Sequence, residues 1–361
     1  MDHSQRIEKT QKTLKELTCN ALLIEETTNL YYMTGQQLST GKLLVHEKGA
    51  ELFVDNRYFE SCQKNAPCHV ILSDKTSLSD LLKSPEFNFI HSLGFDSDNT
   101  SFKRYEEMQK NLTPLVKLIP LDNPVKIQRM IKDKEEIDLL REAAALGSQG
   151  FDFVCSLLCE GLKENDIALE LEIFWKRRGS KSLAFDPIIA FGSNSSMPHY
   201  RAGQTILKKG MPVLIDIGVN YQHYHSDMTR VIYFGEPDPK IRTIYTIVEN
   251  AQKKALNLCV PGTKIGELDE TARGYIKAQG FGEFFSHGLG HGVGLEIHEA
   301  PTLRNQLPCK DKKLENGMVI TIEPGIYLPG MGGVRIEDTI LITETGYENL
   351  TKRPTSPLLY Q

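Results

Sequence analysis

Apolar residues in the first third of the chain come in short runs, Ala21-Leu-Leu-Ile24, Leu43-Leu-Val45 and Leu52-Phe-Val54. Runs this short, bounded by Gly- and Lys-containing breaks, predict strands over residues 20–25, 41–46 and 51–55. Helical patterns alternate with them, the arrangement of an α/β unit. The stretch Pro120-Leu-Asp-Asn-Pro124 breaks any regular element and predicts a boundary between an α/β domain over residues 1–123 and a second domain over residues 124–361. Soon after it, Asp133-Lys-Glu-Glu136 has the spacing of a helix capping box. It predicts a long helix running through Ile137, Leu140 and Ala144.

The second domain repeats its own pattern. Gly210-Met-Pro-Val-Leu-Ile-Asp216-Ile-Gly218 and Gly317-Met-Val-Ile-Thr-Ile-Glu323-Pro-Gly325 both read Gly-Met, four mainly apolar residues, an acid, one residue and Gly. Downstream, Asp227-Met-Thr-Arg-Val-Ile232 matches Glu337-Asp-Thr-Ile-Leu-Ile342. Upstream, residues 160–179 and 261–280 are helix-like segments of equal length that end in Gly. Each half therefore predicts helices followed by a two-strand hairpin with one acid on each strand, an internal duplication.

Composition narrows the function classes. The 361 residues are enough for about two domains. A net charge of −5 argues against nucleic acid as the main partner, since phosphate binding needs a basic surface. No apolar run approaches the ~18 residues of a membrane span, and the charged N-terminus lacks the apolar core of a secretory signal. Seven scattered cysteines fit reduced thiols and a cytoplasmic setting. Cys155 and Cys159, four apart, read as two buried residues of one helix.

The acids carry the chemistry. Side chains alternate across a strand, so Asp227, Thr229 and Val231 share one face, as do Glu337, Thr339 and Leu341. Apolar neighbours turn these faces inward, where a carboxylate without a positive partner is costly or takes up a proton. Arg230 and Arg335 are the only candidate cations in these segments, too few for four carboxylates. Two divalent ions balance the set, and four carboxylates with one imidazole suit two metals about 3.5–4 Å apart, an arrangement used for hydrolysis. Of ten histidines, six lie between residues 199 and 298, three of them in Ser286-His287-Gly-Leu-Gly-His291-Gly-Val-Gly-Leu-Glu-Ile-His298-Glu299. Alternate glycines let that segment pass close to what its histidines touch. They are misplaced for a dinucleotide fingerprint, and the motifs of single-zinc proteases and serine hydrolases are absent from the sequence.

Asp216, Asp227, His291, Glu323 and Glu337, with the histidine run, Ile320-Thr-Ile-Glu-Pro-Gly-Ile-Tyr327 and Gly332-Gly-Val-Arg-Ile-Glu-Asp-Thr339, closely resemble the pita-bread metallopeptidases, in the aminopeptidase P and prolidase branch. Leu30-Tyr-Tyr-Met-Thr-Gly35 and Asp55-Asn-Arg-Tyr58 resemble the creatinase-type N-terminal domain of that branch, which methionine aminopeptidases generally lack. The resemblance implies an α+β pita-bread catalytic domain with pseudo-twofold duplication, preceded by a smaller α/β creatinase-type domain. It implies two divalent metal ions, Mn²⁺ ahead of Co²⁺, Zn²⁺ or Fe²⁺. Asp216 would bind one, His291 and Glu323 the other, and Asp227 and Glu337 would bridge them.

In the same pattern Glu323 would accept the proton of the attacking water, and His298 would hydrogen-bond the oxyanion. His287 and His199 would line the substrate pocket. Arg335, two residues before Glu337, would orient a ligand carboxylate, and Arg304, six after His298, is a candidate to hold a free proline carboxylate. The implied activity is cleavage of the bond preceding proline in Xaa-Pro peptides, with an aminopeptidase first, a dipeptidase second and a non-catalytic peptide-binding module third. A homodimer is implied, with Arg57 and Tyr58 candidates to approach the partner's site and the loop residues His223 and His225 peripheral.

Overall fold

A strand that is apolar at every position needs cover on both faces, and Ala21–Ile24 has it: all its residues are buried. The structure, a computed structural model, describes residues 1–355, Pro357 and the backbone of Leu359–Tyr360. It divides into two compact units, Met1–Gln128 and Arg129–Gln361.

In the first unit, β1 (Ala21–Ile24), β2 (Lys42–His46), β3 (Gly49–Val54), β4 (His69–Leu72), β5 (Ser92–Asp96) and β6 (Lys117–Leu121) form one sheet in the order β4-β3-β2-β1-β5-β6. Helices α1 (His3–Thr13), α2 (Thr27–Thr34), α3 (Asn56–Asn65), α4 (Leu78–Lys83) and α5 (Phe102–Leu112) alternate with the strands. Leu23, Leu44, Phe53, Leu93 and Phe95 from the sheet pack with Leu81, Leu82, Met108 and Leu112. Pro120 does not break the fold as the sequence suggested, since it lies inside β6. That strand is the sheet edge, where a residue without an N–H is tolerated. The interruption shrinks to Asp122 and Asn123, and α6 (Pro124–Met130) starts on a proline, whose fixed φ suits the first helical position.

In the second unit, α7 (Lys134–Leu157) opens on the expected capping box. Asp133 Oδ1 accepts from the Glu136 N–H at 2.9 Å, and Glu136 Oε2 accepts from the Asp133 N–H at 3.0 Å. Cys155 is buried on this helix, but Cys159 lies beyond its end and is exposed, so the two do not share a buried face. The first repeat continues with α8 (Glu164–Lys176), β7 (Ser182–Leu183), β8 (Ile188–Phe191), β9 (Met211–Ile217), β10 (Val219–Tyr221), β11 (Tyr224–His225) and β12 (Met228–Phe234). The second comprises α9 (Pro239–Leu256), α10 (Ile265–Ala278), β13 (Gly290–Gly292), β14 (Glu299–Leu303), β15 (Val319–Ile322), β16 (Gly325–Leu328), β17 (Gly332–Arg335) and β18 (Asp338–Ile342).

The duplication extends to backbone angles. Gly179 and Gly280, which end the matching helices, have φ of 87° and 86°, and Gly210 and Gly317, which begin the matching strands, both have 90°. Only glycine adopts such values freely. The hairpins are not simple ones, however. β10 and β11 fill the connection between β9 and β12, and β16 and β17 fill that between β15 and β18. The strands separate where these excursions leave, so Asp227 and Glu337 stand just before their strands and Glu323 just after its own. Asp216 alone of the four acids is within a strand.

β9 and β12 pair antiparallel with Asp216 opposite Thr229, and β15 and β18 with Thr321 opposite Thr339. The two half-sheets meet where Glu337 N–H donates to the Thr229 carbonyl at 3.1 Å. Val213, Ile215, Ile217, Met228 and Ile232 cluster with residues of α7 and α8, and Ile320, Ile322, Ile340 and Ile342 with residues of α9 and α10. Because the strand period is two, the opposite faces carry Asp216, Asp227 and Thr229 in one half and Thr321, Glu323, Glu337 and Thr339 in the other. Among the described residues no helix is long and apolar enough to cross a membrane.

Candidate metal centre

Those inner faces form one wall, and His291 reaches it on β13, which pairs with β15. The approach depends on glycine, because a Cβ at Gly290 would stand 2.1 Å from the Thr321 carbonyl oxygen. The His291 N–H donates to Thr321 Oγ1 at 3.0 Å. Asp227, His291 and Glu337 each bring one ligand atom within 4.8 Å of the others, and among the described residues no other group of three does so. His291 Nε2 lies 3.3 Å from Glu323 Oε1 and 3.6 Å from Asp227 Oδ2. All of these, with Asp216, border one cavity of about 500 Å³ that also receives His199, His287, His298, Arg304 and Arg335.

The electrostatics are those of an uncompensated anionic site. Burial pushes Asp227 and Glu337 well above the usual carboxylate range, and repulsion from the neighbouring carboxylates, Glu323 and Asp216 among them, pushes them further. Burial also raises Asp216, with Arg335 opposing. At Glu323 burial acts upward, but the hydrogen bond and charge of His291 prevail and hold the carboxyl below its ordinary value. His291 rises in turn, Glu323 outweighing burial.

Arg335 is 3% exposed and ion-pairs with Asp216. Its Nε donates to Thr229 Oγ1 at 3.1 Å, and Thr229 donates to Glu337 Oε2 at 2.6 Å, so one guanidinium orients two of the carboxylates. Arg230, the other candidate cation, projects from the opposite strand face and pairs with Asp338 at 2.6 Å. Asp216 Oδ1 is left buried without a hydrogen-bond partner, at a cost on the order of 1–3 kcal/mol. An orphaned carboxylate oxygen, mutually repelling acids and a donor set of oxygens with one imidazole fit divalent cations.

His287 lies with Nδ1 3.9 Å from Glu323 Oε2 and Nε2 2.8 Å from the Tyr327 hydroxyl. Tyr327 closes the Ile320–Tyr327 motif, which by itself gives it no role. Its hydroxyl accepts from Arg335 Nη1 at 2.7 Å, and burial pushes its pKa up to about 12. The pairing of β16 with β17 brings its strand against that of Arg335, and His287 meets its hydroxyl from the loop before β13. His298 is exposed and packs edge-on against His291 at 4.3 Å between ring centroids. Burial and the neighbouring His291 lower its pKa. His199 and Arg304 are exposed on the cavity wall. His225 stands outside the lining, with Nδ1 3.1 Å from the Gly294 carbonyl. Arg57 is in the first unit, exposed and paired with Asp55 at 2.6 Å.

The chain is similar to known proteins over most of its length. Residues 138–344 match metallopeptidase family M24, and residues 6–131 match the creatinase/prolidase N-terminal domain. The chain is 38% identical to an Xaa-Pro dipeptidase of Pyrococcus furiosus, across 96% of this chain and 98% of that one. Its fold is similar to a solved Xaa-Pro dipeptidase from Bacillus anthracis, with a TM-score of 0.93 and 35% identity over 99% of this chain and 100% of the other. A solved X-Pro aminopeptidase from Thermotoga maritima has a TM-score of 0.86 and 31% identity, covering 96% and 99%.

Proposed function

The chain belongs to metallopeptidase family M24, and from that premise we propose that it uses two divalent metal ions to hydrolyse the bond preceding proline, acting on Xaa-Pro dipeptides. The observation that carries the proposal is the buried cluster of Asp227, His291 and Glu337, flanked by Glu323 and Asp216, opening on the cavity. Asp216, Asp227, His291, Glu323 and Glu337 would hold the metals, with Mn²⁺ favoured by mainly oxygen donors. Bound there, they supply Lewis acidity for the scissile carbonyl and lower the pKa of the attacking water.

The protein's own groups do the rest. Glu323, on the cavity wall with Oε1 3.3 Å from His291 Nε2, would take the water's proton. His298, with its lowered pKa, donates a neutral ring N–H to the developing oxyanion. Arg335 keeps Asp216 in place, and Tyr327 ties Arg335 to His287.

The sequence put an aminopeptidase ahead of a dipeptidase. Arg304 on the cavity wall favours the dipeptidase, because a guanidinium there suits the free carboxylate of a C-terminal proline. Relatives named Xaa-Pro dipeptidase, at 35–38% identity, support the same order. Hydrolysis of Gly-Pro and of Xaa-Pro-Pro by the Mn²⁺-loaded protein tests it: turnover of the dipeptide alone is expected. Preference for the longer peptide would return the assignment to an aminopeptidase, and turnover of neither would favour the binding module. The proposal includes a homodimer, to be tested by light scattering, and a reducing cytoplasmic setting, supported by seven free cysteines.

A further inference from the structure

Glu164 is a carboxylate with no exposed surface at the start of α8, outside the cavity lining. Its hydrogen-bond partners are all neutral. Oε1 accepts from the Phe191 N–H at 2.7 Å and from Asn194 Nδ2 at 2.9 Å. Oε2 accepts from the Tyr200 hydroxyl at 2.7 Å and from the Gly203 N–H at 3.1 Å. Phe191 closes β8 and Gly203 lies twelve residues on, so one side chain ties the two ends of the intervening loop. Between those ends His199, Tyr200 and Arg201 border the cavity. Gly203 is part of the device, since a Cβ there would meet the Tyr200 hydroxyl at 2.8 Å.

A buried carboxylate facing neutral donors pays a large desolvation cost, and an apolar side chain would avoid it. What a carboxylate alone provides is two acceptor oxygens, each able to take two hydrogen bonds. Glutamine keeps one acceptor and turns an N–H towards the other pair of donors. We propose that Glu164 is a positioning residue for the peptidase site: by holding both ends of residues 191–203, it sets where His199 and Arg201 stand and so governs substrate affinity. This rests on the peptidase proposal above, with Glu164 itself touching neither substrate nor metal.

The test uses Glu164→Gln and Asn194→Ala in the full-length, metal-loaded protein, Asn194 also lying outside the cavity lining. Amide hydrogen exchange over residues 193–202 is expected to speed up about tenfold in Glu164→Gln, as the loss of buried hydrogen bonds implies, with β15 unchanged. KM for Gly-Pro should rise about fivefold or more, with kcat within about twofold and full metal content, and Asn194→Ala should shift both readouts the same way by less. If Glu164→Gln does not fold, Asn194→Ala decides alone. Wild-type loop exchange and KM in the folded variants overturn the assignment even if melting temperature drops, since that pattern is a purely structural role. If the wild-type protein cleaves no Xaa-Pro substrate, the peptidase proposal fails while loop exchange still decides whether Glu164 holds the loop.

Discussion

Replacing Asp227 with Asn removes one buried charge and keeps the shape of the side chain. The ligand atoms of Asp227, His291 and Glu337 lie within 4.8 Å of one another. Two carboxylates at that separation repel by about 3.5 kcal/mol at an effective dielectric of about 20. Protonation relieves part of this, because Asp227 and Glu337 are both raised well above the usual range. The metal-free variant should therefore be about 1–3 kcal/mol more stable than the metal-free wild type at pH 8, by urea unfolding in chelator. A carboxyl whose folded pKa exceeds its unfolded value contributes stability below the unfolded pKa and loses it as pH rises through the folded one. The advantage of the variant should accordingly shrink towards pH 5. With metal at about a thousand times its Kd the order reverses, as the wild type gains about 4.1 kcal/mol and the variant, missing a ligand, gains little. A metal-free Asp227→Asn protein that is less stable than wild type by more than about 1 kcal/mol at pH 8 would refute the idea that repelling carboxylates await cations here.

Three further substitutions probe the surroundings. Arg335→Lys keeps the charge but cannot reach Asp216, Thr229 and Tyr327 together, so metal affinity by calorimetry should fall about 10–100-fold. Gly290→Ala places a methyl group 2.1 Å from the Thr321 carbonyl, which should cost roughly 1–3 kcal/mol in unfolding experiments and lower metal stoichiometry by displacing His291. Arg304→Met should raise KM for Gly-Pro about tenfold and leave Xaa-Pro-Pro within about twofold, because only the dipeptide presents its proline carboxylate there; equal effects on both would remove Arg304 from that role.

The acids were legible because the information that places them is local. Period-two alternation is enough to put Asp227 on the inward face of Thr229 and Val231, and Glu337 on that of Thr339 and Leu341. The alternate glycines before and after His291 were legible for the same reason, as a requirement for close backbone approach. What stayed hidden depends on contacts between distant segments. Arg335, two residues before Glu337, was legible as a partner for a ligand carboxylate, but the destination of Arg230 was not: strand parity sends it to Asp338, away from the other acids. Tyr327 and Glu164 each act through partners dozens of residues away or on another element, so neither has a role that the local sequence gives. Pro120 misled because proline is read as a breaker, whereas an edge strand accommodates it.

The claim that this site is a metal-dependent Xaa-Pro peptidase is tested most directly by following Gly-Pro hydrolysis and bound metal in one preparation through chelation and Mn²⁺ addition. Turnover should vanish with the metal and return in full at two ions per chain. Undiminished hydrolysis by metal-free protein, or none with two ions bound, would contradict it.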